Sequence, residues 1–263
     1  MSNAMSKCGC TPSASFENKK DNHEPGPQTG TIPELASTAR GSHPTLLLMA
    51  GFAGAGKTTL ATKLKEEFLQ CGDQSWEVLD KDLLKRKHLE EGQEVELAGW
   101  KAFEDLFNLI AQKAINNKKS VIIDTSNERP FIHENILVLL EHMHRDNIQA
   151  NFNIILCVAS KEKRSERLDE RGSMFYPFVK NLPPTRDDSD LFGCFEHLAR
   201  HDPKLRENLQ HLSNNPADLK DSPYLASNQA LIVNTNLSLE TIFPDVWREI
   251  TTRLQSGGLA FQQ

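Results

Sequence analysis

Residues 51–58 read Gly51-Phe52-Ala53-Gly54-Ala55-Gly56-Lys57-Thr58, and this octapeptide decides the fold. It satisfies the pattern G-x-x-x-x-G-K-[ST], the Walker A loop. Ahead of it stands Thr45-Leu46-Leu47-Leu48-Met49-Ala50, an apolar run of the length of a buried strand. Behind it, residues 59–68 place Leu60, Leu64 and Phe68 on one face of an amphipathic helix. Strand, glycine loop and helix form the context in which the pattern becomes a phosphate site. The glycines permit a tight turn that aims backbone N–H groups inward, and the helix N-terminus adds a positive dipole end. Gly51, Ala53, Gly54, Ala55, Gly56, Lys57, Thr58 and Thr59 are therefore the candidate nucleotide-binding residues. Lys57 supplies a point charge for the β- and γ-phosphates of ATP, and the Thr58 hydroxyl is a candidate Mg²⁺ ligand.

Working outward, the chain alternates short apolar runs with helical periodicity. Strands are expected at 45–50, 76–79 (ending at Asp80), 121–123 (ending at Asp124), 152–158 and 230–234. Helices are expected at about 57–70, 82–90, 95–116, 131–146, 161–171, 190–213 and 238–255. In the helix over 95–116, Trp100, Phe103, Phe107, Ile110 and Ala114 recur at helical spacing. This order predicts an α/β fold: a three-layer α/β/α sandwich with a mostly parallel five-stranded sheet and a helical lid. The folded domain is expected over 44–255, with a lid or substrate insertion at about 172–229. Residues 1–43 read as a disordered arm and 256–263 as a flexible tail. Met1-Ser2-Asn3-Ala4, ahead of a second Met5, reads as an expression scar.

Ligands of parallel sheets bind at the carboxyl ends of the strands, so the residues there carry the chemistry. After the second strand comes Asp80-Lys81-Asp82-Leu83-Leu84-Lys85-Arg86-Lys87-His88. An Asp at this point can take the proton of an acceptor hydroxyl during in-line attack on a γ-phosphate. Asp82 is the candidate base, and Lys85 and His88, three and six residues on, share roughly its helix face. The competing reading is a helix start capped by Asp80 or Asp82. After the third strand, Asp124-Thr125-Ser126-Asn127 follows three apolar residues, the Walker B arrangement. Asp124 is a candidate Mg²⁺ ligand, and Ser126 and Asn127 could orient an acceptor. After the fourth strand, Arg167 and Arg171 stand four apart and could clamp a transferring phosphoryl group. Glu166 and Glu170 offer the alternative of an exposed salt-bridged helix.

Composition narrows the function classes. The net charge of −6 argues mildly against a constitutive nucleic-acid binder. The five cysteines are scattered without a disulfide framework, which points to a reducing cytoplasm. There is no run of eighteen apolar residues, so no transmembrane helix is expected. The histidines show no zinc spacing.

Gly51–Thr58, Asp82-x-x-Lys85, Asp124-Thr125-Ser126-Asn127 and Arg167-x-x-x-Arg171-Gly172 together resemble the P-loop kinases of the polynucleotide 5′-kinase and zeta-toxin group. The resemblance spans roughly 45–172, with 230–254 fitting the last strand and helix. His88 and Val179-Lys180-Asn181-Leu182-Pro183 are similar to zeta toxins in particular. The resemblance implies an ATP- and Mg²⁺-dependent kinase with Asp82 as general base and Lys85 beside the acceptor. Lys57, Arg167 and Arg171 would stabilise the phosphates. The expected acceptor is a small metabolite or sugar nucleotide, with an oligonucleotide 5′-hydroxyl as the alternative and a non-kinase NTPase switch as a second class. A neutralising, antitoxin-like protein partner belongs to the same expectation. A third class is a nucleotide-binding protein without catalysis, a secreted effector acting through residues 1–43.

Overall fold

A computed structural model describes residues 43–126, 128, 130–175, 186–219 and 222–255. Residues 1–42 of the arm expected at 1–43, the tail at 256–263, Asn127 and the stretch Val179–Pro183 lie outside the described residues.

The strands are β1 (Thr45–Ala50), β2 (Glu77–Asp80), β3 (Val121–Asp124), β4 (Asn151–Val158), β5 (Tyr224–Ala226) and β6 (Ala230–Asn234). The α-helices are α1 (Lys57–Gln70), α2 (Lys81–Glu90), α3 (Val95–Ala111), α4 (Pro130–Arg145), α5 (Lys161–Phe175), α6 (Leu191–Phe195), α7 (Pro203–Asn214) and α8 (Leu239–Gln255). The sheet order is β2-β3-β1-β4-β6-β5, parallel except for the β5–β6 pair. The chain enters at the centre and leaves to both sides, so β1 is the topological switch point where such sheets bind ligands.

Burial on both faces makes the strands continuous apolar runs. Leu46 and Leu48 face a core shared with α3, α4, α6 and α7. Leu47 and Met49 face the opposite core, built with α1 and α8. There Phe68 stacks on Trp76 with centroids 4.1 Å apart and meets the edge of Trp247. Helices thus cover both faces, as the α/β alternation predicts.

Three local readings change. The sheet has six strands, not five: Tyr224–Ala226 is too short for a period-2 signal and is held by its antiparallel register with Leu231–Val233. The expected helix over 190–213 is broken, because Asp202 caps α7 by accepting from the Leu205 N–H at 3.0 Å, with Pro203 in the first turn. Trp100 is not core. The buried stripe of α3 is Ala98, Ala102, Leu106 and Ile110, which leaves Trp100 63% exposed.

His133 of α4 is buried, its ring 6.0 Å from Phe152 and 5.8 Å from His197. Burial, then the neighbouring His197, Arg200 and His201, pushes its pKa down to about 4. An unfolded histidine takes its proton near 6.5. Between those values the unfolded chain binds more protons, so stability falls as pH falls from 6.5 towards 4. We expect His133 to account for about 3 kcal/mol of that loss. His133→Gln should flatten the pH dependence of the urea midpoint between pH 7 and pH 4.5.

Candidate functional site

The loop after β1 takes a shape that side chains would forbid. Gly51 (φ 136°), Gly54 (φ 79°) and Gly56 (φ 83°) all have positive φ. A Cβ on Gly51 would lie 2.4 Å from the Cys157 carbonyl oxygen, and one on Gly54 would lie 2.6 Å from that of Arg164. The loop backbone is therefore pressed against β4 and α5, and glycine is needed for space as well as for φ. The Gly51 N–H donates to the Ser126 carbonyl at 3.0 Å, tying the loop to the exit of β3. Lys57 Nζ donates to the carbonyls of Gly51 and Phe52, each at 2.9 Å, so its ammonium is held inside the loop.

Beside the loop lies a corner of carboxylates. Parallel register sets Asp80 opposite Asp124, and Met49 opposite Asp124, so β1, β2 and β3 end at one level. Asp124 is buried, and the Thr58 hydroxyl beside it favours its charged form. Its Oδ2 is buried with no hydrogen-bond partner among the described residues. Burial raises its pKa, while the Thr58 hydroxyl and then the charges of Lys57 and Arg171 oppose that rise. A hydroxyl and a carboxylate with a spare buried oxygen fit a hard cation such as Mg²⁺. That ion takes few protein ligands and completes its shell with water and phosphate oxygens.

Asp80 is the N-cap of α2: its Oδ1 accepts from the Asp82 N–H at 2.7 Å and the Leu83 N–H at 3.4 Å. The capping role therefore falls to Asp80, and the Asp82 side chain is 59% exposed. Asp82 still acts electrostatically on both Asp80 and Asp124.

Two cavities flank this corner. One, of about 250 Å³, is lined by Gly56, Thr59, Arg167, Arg171, Thr235 and Leu237, among others. Arg167 donates from Nη1 to the Gly54 carbonyl at 3.3 Å and from Nη2 to the Thr235 carbonyl at 2.5 Å. Its pKa is lowered by burial and then by Arg171, which places two cations close together, as an anion site requires. The second cavity, of about 620 Å³, lies between α2, α3 and α4 and is lined by Lys81, Lys85, Trp100, Phe103, Ser126 and Phe131, with Glu96 and Glu128. Phe131 meets Trp100 edge-on at 5.9 Å and Phe103 at 5.6 Å, and Lys81 Nζ sits 4.6 Å from the Phe103 centroid.

The structure thus gathers Lys57, Thr58, Asp82 and Asp124 with Arg171, and sets Lys85 and Ser126 in the larger cavity. His88 does not join them. Its ring is buried, with Nε2 2.8 Å from Asp105 Oδ2, and it links α2 to α3. Sequence reasoning missed Thr235, whose hydroxyl lies 2.8 Å from the Ala55 carbonyl oxygen. It also missed the aromatic wall: Trp100 was legible only as helical periodicity, and Phe131 only as the first residue of the helix expected at 131–146.

A family model described as an AAA domain matches residues 46–175. No curated protein matches the chain. Among solved structures, a provisionally assigned kinase from Chloroflexus aurantiacus j-10-fl is similar, at 19% identity over 81% of this chain and 97% of that one, with a TM-score of 0.51. A gluconokinase from Sinorhizobium meliloti 1021 aligns at 15% identity over 81% and 95%, with a TM-score of 0.42. A chain of the PezAT toxin–antitoxin system of Streptococcus pneumoniae aligns at 20% over 63% and 70%, with a TM-score of 0.43. The fold is an α/β P-loop kinase-like fold with a mostly parallel sheet of six strands. No helix among the described residues is long and apolar enough to cross a membrane.

Burial, and then the charge of Asp124, raises the Asp80 pKa to about 6. A carboxyl whose folded pKa lies above its unfolded value near 3.8 favours folding at low pH and loses that contribution as pH rises through about 6. Asn also caps helices well. Asp80→Asn should therefore raise the thermal midpoint relative to wild type at pH 7–8, and the advantage should vanish near pH 4.

Proposed function

We propose that the protein is an ATP-dependent kinase that transfers the γ-phosphate to a hydroxyl of a small metabolite or sugar nucleotide. The observation that carries this reading is the pair of cavities on either side of one phosphate loop, with a buried carboxylate between them. A hydrolase that switches a partner needs a site for the nucleotide and a water. A 620 Å³ cleft with its own lysines, hydroxyls and carboxylates is what a second substrate needs.

In this reading ATP occupies the loop and the smaller cavity. N–H groups of residues 54–58 and the Lys57 ammonium hold its phosphates. Thr58 and Asp124 hold Mg²⁺, which supplies charge neutralisation on the phosphate oxygens. The acceptor sits in the larger cleft, its flat or apolar part against Trp100 and Phe131. Lys85 and Ser126 orient the reacting end. Asp82 takes the hydroxyl proton as the acceptor oxygen bonds to the γ-phosphorus and the bond to the β–γ bridging oxygen breaks. Arg167 and Arg171 balance the charge that develops on the transferring group.

Cleft chemistry favours a small acceptor. Glu96 and Glu128 can accept hydrogen bonds from sugar hydroxyls and weigh against a run of backbone phosphodiesters, while Lys81 and Lys85 can meet the compact charge of a small phosphorylated acceptor. The alternative of an oligonucleotide 5′-hydroxyl draws on Lys81, Lys85 and the exposed ring of Trp100, which could stack a terminal base.

Labelled γ-phosphate should pass from Mg²⁺-ATP to one acceptor class in a panel of nucleoside-diphosphate sugars, small hydroxylated metabolites and 5′-hydroxyl oligonucleotides. Asp82→Asn should keep ATP binding and lose about 10²- to 10⁴-fold of the transfer rate, with little change in thermal midpoint because Asp82 does not cap α2. Equal release of free phosphate by wild type and variant, with no labelled acceptor, would sink the kinase reading.

A further inference from the structure

Arg164 of α5 is fully buried, a rare place for a guanidinium. Its Nε donates to the Ala159 carbonyl at 3.0 Å. Its Nη2 donates to the Arg186 carbonyl at 2.8 Å and to Asp188 Oδ1 at 2.6 Å. Its Nη1 has no hydrogen-bond partner among the described residues. The guanidinium carbon lies 4.7 Å from the ring centroid of Phe52, the second residue of the phosphate loop. The same ring meets Phe195 of α6, with centroids 5.2 Å apart. The Arg164 backbone is the surface against which Gly54 is pressed.

A buried cation with an orphan N–H is an unfavourable way to fill a core position, and a well-packed apolar side chain commonly serves stability better. What the guanidinium does here that a leucine could not is hold three things in one geometry. These are the face of Phe52 in the loop, the carboxylate of Asp188, and the main chain at Arg186. Asp188 also accepts from the Lys161 N–H, and Arg186 reaches Glu128, a lining residue of the larger cleft, at 3.7 Å. A chain of direct contacts therefore runs from the phosphate loop through Arg164 to the segment 186–195 and on to the rim of the acceptor cleft.

We propose that Arg164 is a positioning residue that couples the phosphate loop to the segment 186–195, so that nucleotide in the loop orders the acceptor side of the site. The inference rests on the nucleotide-binding reading above, and its test separates the two.

The full chain is taken through amide hydrogen exchange with and without Mg²⁺-ATP, and through titration with N-methylanthraniloyl-ATP. In wild type, ATP should slow exchange at 51–58 and also at 186–195. Asp188→Asn keeps the volume of a side chain that is 24% exposed, so the fold should tolerate it. It should weaken nucleotide binding about threefold and abolish the protection at 186–195 while leaving that at 51–58. Arg164→Met should do the same with about tenfold weaker binding. An Arg164 of structural role alone would lower the thermal midpoint in both variants yet leave the ATP-dependent protection of 186–195 in place. That result, or ATP protection confined to 51–58 in wild type, would overturn the coupling. Failure of wild type to bind the nucleotide at all would overturn the nucleotide reading itself and this inference with it.

Discussion

The close approach of the 51–56 backbone to the carbonyls of Cys157 and Arg164 is the constraint on which the rest of the site depends. It ties three elements together at once: the exit of β1, the end of β4 and the first turns of α5. Because the loop cannot move away from β4 without breaking those contacts, its N–H groups stay at the carboxyl edge of the sheet. Lys57 folds back on the loop's own carbonyls at 2.9 Å, so the cation is held in place by the protein as well as by any anion it meets. Parallel register does the remaining work, ending β2 and β3 at the level of β1 and setting Asp80 and Asp124 beside the loop.

That corner is built against the grain of stability. Two carboxylates stand side by side, Asp124 buried and Asp80 partly so, and burial pushes both towards the neutral form. Asp124 Oδ2 and Arg164 Nη1 are buried without hydrogen-bond partners among the described residues. A fold selected for stability alone would fill such positions with apolar side chains. Strongly perturbed, unevenly satisfied groups gathered at a switch point mark a binding site more often than a packing accident. The apolar layers on both faces of the sheet, with Leu46 and Leu48 on one side and Leu47 and Met49 on the other, supply the stability that offsets this.

The parts of this arrangement that were legible in the sequence are those whose signal is local. The glycine loop, the strands with their terminal aspartates and the helices behind them are each written in consecutive residues. What was not legible depends on contacts between distant segments. Tyr224–Ala226 becomes a strand only through its partner β6. Trp100 shares the helical period of the buried face of α3 but stands beside that face, where small alanines do the packing. Thr235 meets Ala55 across 180 residues of chain. Arg164 is one of several charged residues in a helix that reads as solvated, and nothing in its neighbours distinguishes it from Arg167 or Lys163. Its burial comes from Phe52 and the 186–188 strap, which no window of sequence brings together.

The division of labour between Asp80 and Asp82 is the step from fold to chemistry. The start of α2 leaves backbone N–H groups that need an acceptor, and an aspartate there is ordinarily consumed in supplying it. Asp80, extended at φ −103°, accepts from the N–H groups of Asp82 and Leu83 and satisfies that need. The carboxylate of Asp82 is then not required by the helix, although it remains at its positive end and within electrostatic reach of Asp124. A base that is to take a proton must have a free lone pair and a fixed position. Asp82 has the first because Asp80 caps, and the second because its backbone is held in the first turn of the helix. The same turn projects Lys85 one turn further on, into the cleft lined by Trp100 and Phe131. Asp80 caps while Asp82, paired only loosely with Lys81 at 3.7 Å, is spared that duty, which is what the proposed base needs and what a helix start alone would not require.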